Sequence, residues 1–182
     1  MNEYQQKLEA RFRAYSLNQS PAPWRCTWRG SIGGLLEVGF APVSELLIVV
    51  SPEGRGVFDC STGERVARDY DIDLKQWADP IRLTAEGIGP LGEQTVRMAG
   101  IWGGGLPLFT ADGWNLNAIP LSLVEYIALL CPPQTDIYSD KTFDQCLKIY
   151  MGDPIRACGF SDTGRSFVVA EGSGVSLTLF HR

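Results

Sequence analysis

The feature that most constrains this chain is residues 46–69, LLIVVSPEGRGVFDCSTGERVARD. It opens with Leu46, Leu47, Ile48, Val49 and Val50, an unbroken apolar run rich in branched side chains. Such a run suits a short strand buried on both faces. Ser51-Pro52-Glu53-Gly54 follows as a turn, because proline presets its own φ and glycine takes a positive φ without steric cost. Val57-Phe58-Asp59 reads as the returning strand, and Ser61-Thr62-Gly63-Glu64 turns again. Arg65-Val66-Ala67-Arg68 then alternates polar and apolar, as a half-exposed strand does.

A similar pattern stands at residues 158–180, CGFSDTGRSFVVAEGSGVSLTLF. Laid over residues 38–60 without gaps, Gly39-Phe40 falls on Gly159-Phe160, Val49 on Val169 and Gly54 on Gly174. Internal repetition and shared strand composition both account for these matches, and at this level the two stand side by side.

Both stretches also resemble known repeats. GFSDTGRSFVVA looks like the strand-turn-strand segment of WD40-type β-propeller blades, and VFDCSTGERVAR is similar to the FD-x-x-TGE segment of quinoprotein-type blades. The resemblance implies blade-like hairpins and says little about function. The chain departs from those families in having no Trp-Asp dipeptide to close a blade. Blades of roughly 40–50 residues would also allow at most about four here. The expected fold is therefore mainly β: antiparallel blade-like hairpins in a sandwich, barrel or small propeller-like sheet arrangement, with an N-terminal helix. One domain is expected over 1–182, with an amphipathic helix at 2–16 and a β-rich body at 24–182.

Length supports one domain, since 182 residues bury a sizeable core without a disulfide or metal staple. The net charge of −5 argues against nucleic acid as a partner, because phosphate binding needs clustered basic surface. The arginines are scattered instead, as Arg11 and Arg13, Arg25 and Arg29, Arg65 and Arg68. The five cysteines are odd in number and lack C-x-x-C spacing, and the start of the chain does not read as a signal peptide. A cytoplasmic location with reduced thiols is expected. The apolar run at 121–131 is interrupted by Glu125 and too short to span a bilayer, so no membrane partner is expected.

Along the chain, Tyr4, Leu8, Phe12 and Tyr15 share one helical face. Residues 24–30 and 35–40 read as strands. Asp69, Asp71 and Asp73 have the spacing that opens a calcium loop, but Leu74 and Pro80 occupy the positions that need glycine and a bidentate glutamate. Residues 75–80 read as a connecting turn or short helix with Trp77 in the core, and residues 81–84 as a strand. Residues 116–130 are apolar and read as either strand or helix, with Val124, Ile127 and the prolines leaning toward one buried strand. Residues 143–150 read as a short helix or an edge strand.

Residues 100–116, GIWGGGLPLFTADGWNL, are the most unusual stretch. No phosphate-binding pattern completes the glycines. The stretch reads as a recognition loop, with Trp102 and Trp114 offering flat apolar surface, Asp112 a polar anchor, and Gly103, Gly104 and Gly105 an accessible backbone. The competing reading puts the tryptophans in the core and a hairpin turn at Ala111-Asp112-Gly113.

Catalytic signals are sparse. The single histidine, His181, stands next to the end of the chain, where mobility disfavours a catalytic base. Cys60, with Arg65 near in sequence, is the most plausible reactive thiol, against a buried inert one. The carboxylates weighed for acid–base work are Glu37, Glu45, Asp59, Asp112 and Glu125, with Glu125 first because it interrupts an apolar run. The expected function is a non-enzymatic interaction module that binds another protein, with no cofactor and no metal. The alternatives are a small carboxylate-dependent hydrolase and an acidic immunity- or antitoxin-type inhibitor of a basic partner.

Overall fold

A computed structural model describes residues 3–92, 94–172 and 176–182, with side chains from residue 6 onward. Gly174, matched above to Gly54, and the Tyr4 side chain lie outside the described residues. The chain begins with helix α1 (Glu3–Ala14) and strand β1 (Arg25–Ser31). A meander follows: β2 (Glu37–Phe40), β3 (Leu46–Ser51), β4 (Gly54–Asp59) and β5 (Glu64–Asp69). Next come a one-turn helix α2 (Leu74–Trp77), β6 (Ala78–Asp79), β7 (Thr84–Glu86), β8 (Thr95–Arg97) and β9 (Ala99–Gly100). The last part holds β10 (Asn115–Pro120), β11 (Tyr126–Cys131), β12 (Leu147–Gly152), β13 (Ile155–Phe160), β14 (Ser166–Glu171) and β15 (Ser176–His181). The fold is mainly β with a short N-terminal helix.

Among the described residues the strands form four sheets, ordered β5-β4-β3-β2-β9, β6-β7-β8, β10-β11-β12 and β1-β15-β14-β13. The named strand pairs are antiparallel. Strand β1 joins the last strand, with Arg25 opposite His181 and Ser31 opposite Ser176. An early segment of the chain is thereby tied to the final one.

The sheets stack face to face as open layers, and the period of two in a strand explains how. On β3, Leu47 and Val49 pack with Val168 and Ala170 of β14. The alternate residues Ile48 and Val50 pack on the other side with Trp77, Val96 and Met98. On β14, Phe167 and Val169 turn away to meet Trp114, Leu116, Ala128 and Leu130. Beyond them Ile127, Leu129 and Cys131 of β11 pack with Phe12 of α1 and Phe143. The layers therefore run from the β6–β8 sheet to the β2–β5 sheet, the β13–β15 sheet, the β10–β12 sheet and α1. A central strand in such a stack has no solvent face. That is why LLIVV, FVVA and IALLC read as continuous apolar runs rather than alternating ones.

Helix α1 docks by the face predicted for it, as far as it is described: Phe12 is buried and Leu8 and Tyr15 pack beside it. Its C-terminal carbonyls are held by a buried lysine. Lys148 Nζ donates to the carbonyl of Phe12 at 3.2 Å and to that of Arg13 at 3.1 Å. A cation there satisfies carbonyls that the helix itself leaves open.

Three stretches differ from the sequence reading. Residues 116–130 are a hairpin, not one strand: β10 and β11 are joined by a turn in which the N–H groups of Leu121 and Ser122 both donate to the Glu125 carbonyl. Leu123 is 96% exposed and Val124 73%, so apolar residues in the turn disguised it. Residues 81–84 are largely turn as well, since Asp79 Oδ1 accepts the N–H groups of Ile81 and Arg82 and bends the chain there. Residues 143–150 contain both a 3-10 turn at Phe143–Gln145 and the start of β12. Trp77, by contrast, sits in the core on a short helix as its sequence context suggests.

Candidate binding cleft

The glycine-rich loop begins at Glu37. This side chain of β2 is fully buried, and its Oε1 accepts the Trp102 N–H at 2.7 Å. The Ile101 N–H lies near the same carboxylate but donates to the Leu36 carbonyl at 3.0 Å, while Oε2 has no hydrogen-bond partner. Burial pushes the carboxyl above its ordinary range, opposed by these two N–H groups and by Arg156. The loop then bends at Gly104, whose φ is +81° and where a Cβ would come within 2.3 Å of the Met98 carbonyl oxygen. Only glycine fits that close approach.

Beyond the bend the loop threads between two sheets. The Pro107 carbonyl accepts the Phe160 N–H of β13 at 2.7 Å, and the Leu108 carbonyl accepts the Leu116 N–H of β10 at 2.9 Å. The loop closes in a tight turn, with the Thr110 N–H on the Trp114 carbonyl and the Gly113 N–H on the Thr110 carbonyl. Ala111-Asp112-Gly113 is thus a turn, in keeping with the second reading of this stretch.

The predicted recognition residues separate accordingly. Trp114 is a core side chain, 9% exposed, edge-on to Trp24 with ring centroids 5.8 Å apart. It is not a contact surface. Asp112 is exposed but already engaged by a bidentate pair to Arg182 at 2.6 and 2.9 Å. Arg182 and the Thr110 hydroxyl hold its carboxyl well below the usual range. The guanidinium of Arg182 also lies over the Trp24 ring at 4.5 Å. Trp102 is half-buried and fixed through its backbone to Glu37. Gly104 and Gly105, together with Leu106 and Leu108, form one wall of a cleft.

That cleft has a volume of about 380 Å³. It lies where three sheet edges converge, represented by Ala99 of β9, residues 116–119 of β10 and residues 155–158 of β13. Each of these strands is the outermost of its sheet. The remaining wall is Ile137 and Tyr138, from the segment between β11 and β12. The lining is mostly aliphatic, with Asn117 and Arg156 as its polar members besides the Tyr138 hydroxyl and the Cys158 thiol. Burial pushes that thiol up to about 11, so it is protonated at neutral pH. Tyr138 of the lining is 62% exposed, and Phe109, next in the chain to the lining residue Leu108, is 72% exposed. Gly105 faces open space: a Cβ built there meets nothing within 4 Å.

None of the five carboxylates weighed in the sequence lines this cleft. Glu125 is ion-paired to Arg13 of α1 at 2.6 Å. Asp59 accepts from the N–H and hydroxyl of Ser61 in the turn after β4. Glu45 reaches across to the β13–β14 turn, where it accepts from Ser161 and Thr163 and lies 3.5 Å from Arg165 Nε. Cys60 is fully buried, and burial with Glu45 and Asp59 nearby pushes its thiol far up, which makes it inert. Asp69 pairs with Arg55 at 3.1 Å and caps the Asp71 N–H, while Asp71 caps the N–H of Asp73.

His181 is fixed in β15 rather than loose. Its Nδ1 lies 2.9 Å from Ser166 Oγ and 3.9 Å from Glu45 Oε2. Serine, histidine and carboxylate are therefore gathered, a constellation that sequence alone did not reveal. The chemistry of a triad needs the hydroxyl and the carboxylate on opposite ring nitrogens. Here both face Nδ1, and Ser166 is fully buried. The group is a polar tie between two sheets.

No protein-family model matches the chain, and no curated protein matches it significantly. Among the described residues no helix is long and apolar enough to cross a membrane. No group of three or more potential metal ligands is gathered among them either.

Proposed function

We propose that this protein is a non-catalytic binding module that holds a short, extended, mainly apolar segment of another protein in the cleft walled by residues 104–108. The observation that carries the reading is the path of the chain's own loop. Residues 106–109 run between the edges of β10 and β13 and hydrogen-bond to both, through Pro107 and Leu108. Further along, the same two edges border the cleft. An added segment would continue the pattern that the loop begins, pairing its backbone with a strand edge while apolar walls take its side chains. The exposed Phe109 and Tyr138 supply aromatic surface beside the opening, as contact sites favour.

The net charge of −5 would speed encounter with a basic partner, which is the feature that an inhibitor of the immunity or antitoxin type would use. The hydrolase alternative has less support. A second cleft of about 630 Å³ does carry Asp79 and Glu86. Yet the N–H groups of Arg82 and Ile81 and the Arg82 guanidinium lower the Asp79 pKa, the opposite of what a proton donor needs.

Gly105 provides the test. Since its Cβ position is open, Gly105→Phe puts a large side chain on the cleft wall without a backbone clash. Affinity capture from native lysate is compared for wild type, Gly105→Phe and an Ile81→Ser control, each checked by thermal melting. A stoichiometric partner is expected with wild type and Ile81→Ser and is lost with Gly105→Phe. The same partner held equally by Gly105→Phe removes the cleft from the account.

A further inference from the structure

Two of the five cysteines meet. Cys131 ends β11 and is fully buried, while Cys146 follows the 3-10 turn before β12 and is 2% exposed. Both belong to the cluster under α1. The last register pair of β11 and β12 is Leu130 opposite Leu147, so the next residues outward, Cys131 and Cys146, stand opposite each other where the two strands meet that segment. The pair sits within a chain of donors. The Asn117 amide reaches Cys131 Sγ at 3.6 Å, and Cys146 Sγ reaches Thr135 Oγ1 at 3.8 Å. The Thr135 hydroxyl in turn donates to the Pro132 carbonyl at 2.6 Å. Each sulfur thus has a polar neighbour that holds it in place in the core.

We propose that Cys131 and Cys146 form a dithiol that is oxidised to an intramolecular disulfide by peroxide. In the first step the Cys146 thiolate attacks one oxygen of hydrogen peroxide. The O–O bond breaks, the departing hydroxide takes a proton to become water, and Cys146 becomes a sulfenic acid. The Cys131 sulfur then attacks the sulfenic sulfur, loses its proton and expels a second water. Two thiols and one peroxide give one disulfide and two waters. Sulfur is oxidised and peroxide oxygen reduced.

The environment sets the order of the two steps. The Cys131 contact holds the Cys146 thiol below its ordinary range, while the same contact and burial push the Cys131 thiol well above it. The first step is therefore assigned to Cys146, with Cys131 as the resolving thiol. Peroxide is small, and it reaches the pair by opening of the turn-rich segment between them. Cys60 and Cys158, by contrast, are held protonated by burial.

The consequence falls on the segment that the bond would close, residues 132–145. It carries Ile137 and Tyr138 of the cleft wall. It also carries Asp140 and Phe143, which engage Arg11 of α1. A disulfide joins the two ends of this segment and restricts it.

The test uses the reduced full chain treated with hydrogen peroxide, alkylated after unfolding and mapped by peptide mass spectrometry. Expected is a cross-linked peptide joining Cys131 to Cys146 with the loss of two hydrogens, while Cys26, Cys60 and Cys158 remain alkylated. Hydrogen exchange over 132–145 slows in the oxidised protein. In Cys146→Ser, checked for folding, Cys131 stays a free thiol under the same dose. The proposal is overturned if both sulfurs of the wild type remain alkylatable at a dose that oxidises other cysteines. Separate oxidation of the two to sulfinic acids, or cross-linking to other cysteines as readily as to each other, overturns it too. Because the wild-type map decides the matter, a variant that fails to fold does not rescue it.

Discussion

Glu37 shows how much one residue decides here. A carboxyl group with no exposure and an unpartnered Oε2 is costly, yet it fixes the glycine-rich loop through the Trp102 N–H. Its folded pKa is raised, so its contribution to stability is complete below the ordinary carboxyl value and is lost as pH rises through the folded one. Denaturant melts of wild type and Glu37→Gln should therefore diverge with pH. The variant should gain on wild type as pH rises above about 4.5; a difference independent of pH contradicts this. None of this was legible in the sequence. Glu37 was one of five carboxylates weighed there, and nothing local marks it as buried. The tryptophans were similarly opaque. Trp102 and Trp114 look alike in a glycine-rich context, but Trp114 lies in the core beside Trp24, a contact between residues far apart in the chain. Gly105 was visible as one of three glycines, and only the space beside it distinguishes it from Gly104.

At the scale of elements the sequence was more informative. Central strands of stacked sheets have two buried faces, so β3 and β14 announce themselves as apolar runs. Turns with proline and glycine announced their ends. Failures came where chemistry was split across a turn, as in the β10–β11 hairpin with its exposed Leu123 and Val124. Strand β14 also shows where stability is concentrated. Phe167 is fully buried, stacked on Phe180 at 4.3 Å and edge-on to Trp24 at 5.0 Å. Phe167→Ala should cost about 3–5 kcal/mol, as large truncations in packed cores do. The unfolding midpoint should fall by roughly 10 °C in calorimetry at this chain length. A fall of only a degree or two would mean that the β13–β15 sheet is not a central layer.

For the whole molecule, the layered order explains why one side of the stack offers a site. Stacking sheets face to face satisfies their apolar faces but leaves their outer strands to meet edge to edge, and β9, β10 and β13 do so around the cleft. The strand β1 added to β15 locks distant parts of the chain together in the sheet whose other edge is β13. The central claim is that the molecule uses this place to hold a partner. The most direct measurement is site-specific photo-crosslinking in the native cell. A benzoyl-phenylalanine is placed at Phe109, beside the cleft, and in a separate sample at Ile81, which is 92% exposed on the β6–β7 turn. The account predicts a discrete protein adduct from position 109 and none from position 81. An adduct from 81 alone, or no adduct from 109, would contradict it.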